Sequence, residues 1–279
     1  MRPMPKVLGA SIDLRGTRPQ LGLKPVLTAL NGEQIKHISA KSYLVFDLES
    51  GQVLAQKDLG RKLGIASLTK LMTGLLAYQN LDFNSSITIG NSGLKIISPS
   101  VGFAEGDQVR AGDIFNAMIV GSCNDAAQIL AKEVRAKTGV NFVLMMNQKA
   151  QELQMTSTSF TNPSGFDSPD GYSTAADLAK LITATQHLST FSNLGLTSSL
   201  SFNGKLGLTY KVTSTNKLIQ KVPNLLAIKT GNTQISLGAM VSKVPNNGHQ
   251  IIIVVLGSRN READTLILKS AVAEKIIWQ

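Results

Sequence analysis

The strand-like segments of this 279-residue chain lie at its two ends, and the segments with helical periodicity lie between them. Ser42–Asp47 reads as a strand, Glu49-Ser50-Gly51 as a turn and Gln52–Ala55 as the returning strand. Near the other end, Leu237–Ser242 and Gln250–Leu256 are apolar strands joined by the turn Pro245-Asn246-Asn247-Gly248. A sheet in such a chain must be assembled from both termini around a helical insert. Leu68, Leu71, Met72, Leu75 and Leu76 mark one face of a helix opening at Ser67. Asp113 is the expected N-cap of a second helix, which breaks at Gly121–Asn124. A third helix runs from there to about Lys137, with Gly139 as its C-cap. A fourth covers about 141–153, and Thr174 with Asp177 resembles a capping box for a fifth, to about Thr185. Residues from about Glu262 to Trp278 read as a closing helix. The fold class expected is an α/β sandwich, a largely antiparallel sheet flanked by helices, with a helical subdomain over about 70–185. Residues 1–38 read as an N-terminal arm or leader-proximal segment, and 39–279 as the folded domain.

Composition removes several classes. With Cys123 alone there is no internal disulfide and no multi-cysteine zinc site, and His37, His187 and His249 have no metal-ligand spacing. Neither a metal nor an organic cofactor is expected. The net charge of +10 suits a polyanionic surface, but aromatics at 5% and the lack of a basic run interleaved with them argue against nucleic acid. No apolar run reaches the roughly 20 residues of a membrane span. The first residues hold no apolar core of a secretory signal, so either the protein is cytoplasmic or a signal preceded this chain.

One constellation carries chemistry. Ser67 and Lys70 lie on one helical face, and a desolvated lysine that is neutral part of the time can take a serine proton. Each short motif recurs: Ser-x-x-Lys at Ser92–Lys95 and Ser214–Lys217, Ser-x-Asn at Ser201–Asn203 and Ser214–Asn216, Lys-Thr-Gly at Lys137–Gly139. Context separates the copies. Ser67 opens an apolar helix, Ser122–Asn124 interrupts two helices, and Lys229-Thr230-Gly231 follows an apolar stretch as an edge-strand element, whereas Lys137–Gly139 ends a helix. The set in this order is similar to that of penicillin-binding proteins and class A β-lactamases.

Longer stretches sharpen the likeness: Ala66–Thr73, Glu105-Gly106-Asp107, Ser122–Ala127, Phe160–Gly165, Tyr172–Ala179 and Arg261-Glu262-Ala263. Over roughly residues 40–278 the chain resembles the D-alanyl-D-alanine carboxypeptidase family of low-molecular-mass penicillin-binding proteins. The resemblance implies a penicillin-binding/β-lactamase-like sandwich with a five-stranded sheet, and makes 39–279 a serine DD-peptidase (transpeptidase-like) domain. It implies Ser67 as nucleophile, Lys70 as general base and Ser122 as proton relay. Asn124, Lys229, Thr230 and Arg261 would hold the substrate, Gly231 would leave room for it, and the N–H groups of Ser67 and Asn232 would form the oxyanion hole. Its substrate would be the peptidoglycan stem peptide, its covalent inhibitors β-lactams, and its place extracytoplasmic.

Two departures blur substrate preference: Gly171 stands where the family usually has a longer polar residue, and Ser236-Leu237 where Ala-Gly is common. Other readings are a DD-endopeptidase acting on cross-links, a β-lactamase, or a retired wall-peptide binder. The Asn162–Tyr172 loop offers Asp167 and Asp170 but no Glu-x-x-Leu-Asn, which argues against rapid drug turnover.

Overall fold

The computed structural model describes residues 25–27, 35, 37–90, 98–185, 188, 194–219, 222, 225–246 and 248–278. Its centre is a five-stranded sheet built, as expected, from both ends of the chain. The strands are β2 (Ser42–Asp47), β3 (Val53–Lys57), β8 (Leu226–Thr233), β9 (Leu237–Asn246) and β10 (His249–Ser258). Their order is β3-β2-β10-β9-β8, with every pairing antiparallel. The central strand β10 is apolar without alternation because both of its faces are covered. Ile252, Val254 and Leu256 join Leu44 and Phe46 in the core under the helical insert. Ile251, Ile253 and Val255 join Tyr43, Val45, Leu268 and Val272 in a second core on the other face.

The insert holds α1 (Lys70–Asn80), α2 (Ala111–Val120), α3 (Asn124–Thr138), α4 (Phe142–Glu152) and α5 (Ala175–Thr185), and α6 (Arg261–Lys275) covers the far face of the sheet. Gly139 ends α3 at φ +74, Asn141 caps α4 by accepting from Leu144 N–H, and the Asp177 N–H donates to Thr174 Oγ1 at 3.1 Å. The helix α1 departs from a one-face pattern. It is buried from Lys70 to Ala77, because α2, α3, α4 and α5 all pack against it. That placement withdraws Lys70 from water.

Several expectations need correction. Asp113 is not the cap of α2. It lies in the first turn and pairs with Arg110 at 2.9 Å, while the N–H groups of Ala111 and Gly112 donate to the carbonyls of Ser85 and Phe83. Backbone acceptors there do the work of a capping side chain. The closing helix stops at Lys275, and β11 (Ile276–Trp278) pairs with β1 (Pro25–Leu27), inside the expected arm. Two hairpins have no counterpart in the sequence reading: β4 (Ser86–Thr88) with β5 (Gln108–Arg110), and β6 (Ser199–Asn203) with β7 (Thr209–Thr213). The Asn247 turn residue, His187 and the Ser92–Lys95 motif lie outside the described residues.

Candidate active site

Ser67 lies in a 3-10 turn, Ala66–Thr69, and the regular helix begins only at Lys70. Ala66 has φ +48, a left-handed conformation that costs an L-residue about 1–2 kcal/mol. The neighbouring loop accommodates it. A Cβ on Gly165, itself at φ +82, would lie 1.9 Å from the Ala66 carbonyl oxygen, so only glycine fits. Asn162 Oδ1 accepts from the N–H groups of Ser164, Gly165 and Phe166 at 3.1, 2.7 and 3.0 Å. Thr73 Oγ1 donates to the Pro163 carbonyl at 2.7 Å and fastens that loop to α1.

Lys70 is 0% exposed. Its Nζ lies 3.0 Å from Ser67 Oγ, 2.8 Å from Asn124 Oδ1 and 2.6 Å from the Ser164 carbonyl. Burial pushes its pKa down to about 7, against the opposing charges of Cys123 and Asp125. The geometry suits both protonation states. Two of the three partners are carbonyl oxygens, which can only accept, and the third is a hydroxyl, which can donate or accept. A neutral amine bonded to the two carbonyls therefore has its lone pair directed at the Ser67 hydroxyl.

Ser122 turns the chain between α2 and α3 at φ +58. Its Oγ accepts from Lys229 Nζ at 2.8 Å, and the same amine donates to the Thr230 carbonyl at 3.0 Å. Lys229 is 2% exposed, and its pKa lies well below the usual lysine value through burial, then the charges of Lys70 and Arg261. Cys123 is packed in the core, and burial pushes its thiol up to about 12. Asn124 starts α3, and its N–H donates to the Pro99 carbonyl at 2.7 Å. Asp125 accepts from Val101 and Gly102 N–H at 2.9 and 2.8 Å, so the segment before β5 and the start of α3 are joined.

The opposite wall is β8, the edge strand. Thr230 Oγ1 lies 2.7 Å from Thr215 Oγ1, and Asn232 is exposed. Gly231 has a reason the sequence reading did not give. A Cβ there would lie 3.0 Å from Ser67 N, 3.0 Å from Ala66 Cβ and 3.1 Å from the Ile65 carbonyl, so glycine lets β8 close on the nucleophile turn. Arg261 Nη1 donates to the Gly231 carbonyl at 2.7 Å and its Nε to Glu262 at 3.1 Å, which ties it to this strand.

Ser67, Lys70, Ser122, Asn124, Lys229, Thr230 and Gly231 thus meet in one cleft, with Asn232 and Arg261 on its β8 side. Of the duplicate motifs, Ser201–Asn203 lies in β6, Lys137–Gly139 at the end of α3, and the Ser214 copies outside any helix or strand, beside Thr215. The structure adds groups that short motifs do not contain: the Ser164 carbonyl, Asn162, Asp125 and Thr215. The first two lay inside the quoted Phe160–Gly165 stretch, where Asn-Pro-Ser-Gly announces a tight turn but no partner, and Asp125 lay inside the quoted Ser122–Ala127 stretch. Elsewhere, Asp47, Glu49 and His249 place three potential ligand atoms within 4.8 Å of one another, which two hundred residues of separation hide from spacing rules.

A sequence profile described as D-alanyl-D-alanine carboxypeptidase matches residues 29–260. The D-alanyl-D-alanine carboxypeptidase DacB2 of Mycobacterium tuberculosis is 31% identical over 78% of this chain and 74% of that protein. DacD of Escherichia coli is 31% identical over 84% of this chain, which spans 63% of that protein's length. Penicillin-binding protein D2 of Listeria monocytogenes, solved in its cefotaxime-bound form, superimposes with a TM-score of 0.72 at 25% identity, covering 85% of this chain and 98% of that one. By sequence and fold alike, this chain belongs to the D-alanyl-D-alanine carboxypeptidase family of serine peptidases.

Proposed function

We propose that this chain hydrolyses the terminal D-Ala-D-Ala bond of peptidoglycan stem peptides through an acyl-enzyme on Ser67, and that β-lactams acylate the same serine. The observation that carries this is the Lys70 amine, buried and 3.0 Å from Ser67 Oγ, with its other two partners both carbonyls. In acylation the Ser67 proton passes to Lys70 Nζ while Oγ attacks the carbonyl of the penultimate D-Ala. The N–H groups of Ser67 and Asn232 receive the oxyanion, each such donor being worth about 3 kcal/mol of barrier. Collapse of the tetrahedral intermediate breaks the C–N bond. The leaving amine of D-Ala takes a proton from Ser122, which draws on its bond to Lys229. Thr230 and Arg261 bind the departing carboxylate, and Asn124 both steadies Lys70 and bonds the substrate backbone. Water then releases the shortened peptide by the reverse proton path.

The substrate places the protein on the extracytoplasmic side, and the net charge of +10 suits an anionic wall. No helix among the described residues is long and apolar enough to cross a membrane. The Asp167 carboxylate bonds Thr233, Ile235 and Ser236, so it is committed to the β8–β9 turn instead of a water beside Ser67. Bound penicillin should therefore leave slowly. Fluorescent penicillin tests the reading: wild type takes up a stable label and Ser67→Ala takes up none, with D-Ala release from a stem-peptide mimic lost in parallel. A folded wild type that neither labels nor releases D-Ala overturns it.

A further inference from the structure

The end of the sheet farthest from the cleft carries a cluster that the peptidase chemistry does not use. Asp47 closes β2 and His249 opens β10. Asp47 pairs in register with Ile251, so His249, two residues earlier, lies on the same face one diagonal step away. His249 Nδ1 stands 3.1 Å from each carboxylate oxygen of Asp47. Glu49, in the turn after β2, accepts from the Gln250 N–H at 2.8 Å, which holds its carboxylate against the start of β10. One ligand atom from each of the three lies within 4.8 Å of the others.

The charge of this cluster is unbalanced. Asp47 is 0% exposed. The N–H and hydroxyl of Ser50 both donate to its Oδ2, and both are neutral. His249 is charged only when protonated, and among the described residues no lysine or arginine forms an ion pair with Asp47 or Glu49. A buried carboxylate beside a second one calls for a cation.

The spacing suits a small one. Nitrogen and oxygen ligands about 2.0–2.1 Å from zinc stand about 2.9 Å apart at a right angle and about 3.3 Å apart at the tetrahedral angle. The 3.1 Å between His249 Nδ1 and Asp47 Oδ1 falls between the two. Glu49 is exposed and sits in a turn, so its side chain is free to close the remaining distance while one oxygen keeps the Gln250 N–H. A neutral imidazole with its proton on Nε2 offers the Nδ1 lone pair.

We propose that Asp47, Glu49 and His249 bind a divalent first-row transition metal, zinc before others, and that the ion clasps the turn after β2 to the start of β10. Two carboxylates cancel the charge of the ion, and water completes the tetrahedron. The imidazole selects against magnesium and calcium, which take oxygen ligands. The His249 side chain is 14% exposed, which leaves the ion a way in from solvent. From His249 to Ser258 β10 runs ten residues, about 30 Å at about 3.4 Å per residue, so the ion steadies the sheet without touching the cleft.

The test uses the full chain without a polyhistidine tag, stripped with a chelator and then titrated calorimetrically with zinc chloride. Wild type should bind one zinc ion. At free zinc a hundredfold above Kd, its melting temperature should rise by about 5 °C. Magnesium and calcium chloride should produce neither effect. His249→Gln, which keeps a donor for Asp47, and Glu49→Gln should each weaken zinc binding at least tenfold and lose the thermal shift, while His37→Ala keeps both. Circular dichroism of the metal-free variants separates a lost ligand from a lost fold, and Glu49→Gln, at an exposed position, serves if His249→Gln misfolds. Wild type that takes up no zinc overturns the site. So does zinc binding that survives both substitutions, or binding that calcium matches and His249→Gln leaves unchanged.

Discussion

The floor of the cleft and its rim are built differently. At the floor, Lys70 and Lys229 are shut off from water, and each amine is fixed by two or three neighbours. At the rim, Asp167 and Ile235 are exposed, beside a cavity of about 240 Å³ that Phe166, Gly171, Tyr172 and Ser236 also line. Desolvation is what makes a lysine a base, so the floor tolerates little change. Contacts at the rim are more exposed to water, so each is weaker. Both departures from the family wording, Gly171 and Ser236, line that cavity.

The harshest test of this contrast is the base itself. Lys70→Ala should slow acylation by penicillin by about a thousandfold or more, in the range of lost general-base catalysis, without preventing folding. Stopped-flow or gel-based labelling measures it, and a variant within about tenfold of wild type would remove Lys70 from the proton path. The same amine sets the pH dependence. With its pKa near 7, Lys70 is protonated below that value and has no lone pair for the Ser67 proton, so acylation should rise with pH through about 7 and level off above it. A rate that is flat from pH 5 to 9 contradicts this.

Two glycines sharpen the comparison further. At the floor, Gly165 has φ +82 and an added Cβ would meet the Ala66 carbonyl at 1.9 Å, so Gly165→Ala should destabilise the fold by about 2–3 kcal/mol and depress labelling. At the rim, the nearest atom to a Cβ on Gly171 is Thr161 Oγ1 at 3.1 Å, the end of a side chain. Gly171→Ala should change stability by less than about 1 kcal/mol. Thermal melts of the two variants decide the matter, and equal losses would erase the distinction.

The sequence conveyed the layers of the molecule better than the details of the site. Periodicity reveals β10 and its partners because a doubly covered strand needs an unbroken apolar run, and helix punctuation reveals α3 through Gly139 because a left-handed C-cap has few alternatives. The burial of Lys70 was less legible. A one-sided stripe predicts a solvated opposite face, and only the packing of four helices around α1 denies it. The Ser164 carbonyl lies 94 residues from the lysine it contacts, a distance no local pattern spans. The hairpin of β6 and β7 was missed although Leu200, Phe202, Tyr210 and Val212 alternate with polar residues, because strands of five residues give that alternation only two apolar positions each. Ser67 was placed in a helix, whereas the positive φ of Ala66 that turns it into the cleft depends on the distant Gly165.

The smallest effect expected lies where floor and rim meet, at Thr215. Its Oγ1 is 2.7 Å from Thr230 Oγ1, and its N–H donates to the Val120 carbonyl at 3.3 Å, so one residue joins the carboxylate-binding strand to the segment that carries Ser122. Thr215→Val keeps the shape and the backbone bond but removes the hydroxyl. Thr230 then loses the partner that fixes its own hydroxyl, a neutral hydrogen bond of about 1 kcal/mol. On the proposed reading Thr230 grips a carboxylate that is present in substrate and transition state alike, so the loss should fall on ground-state binding. KM for a D-Ala-D-Ala tripeptide should rise about threefold with kcat nearly constant. If kcat falls while KM holds, Thr215 acts on the leaving-group proton through Ser122, and the boundary between the fixed floor and the adjustable rim must be drawn one residue further out.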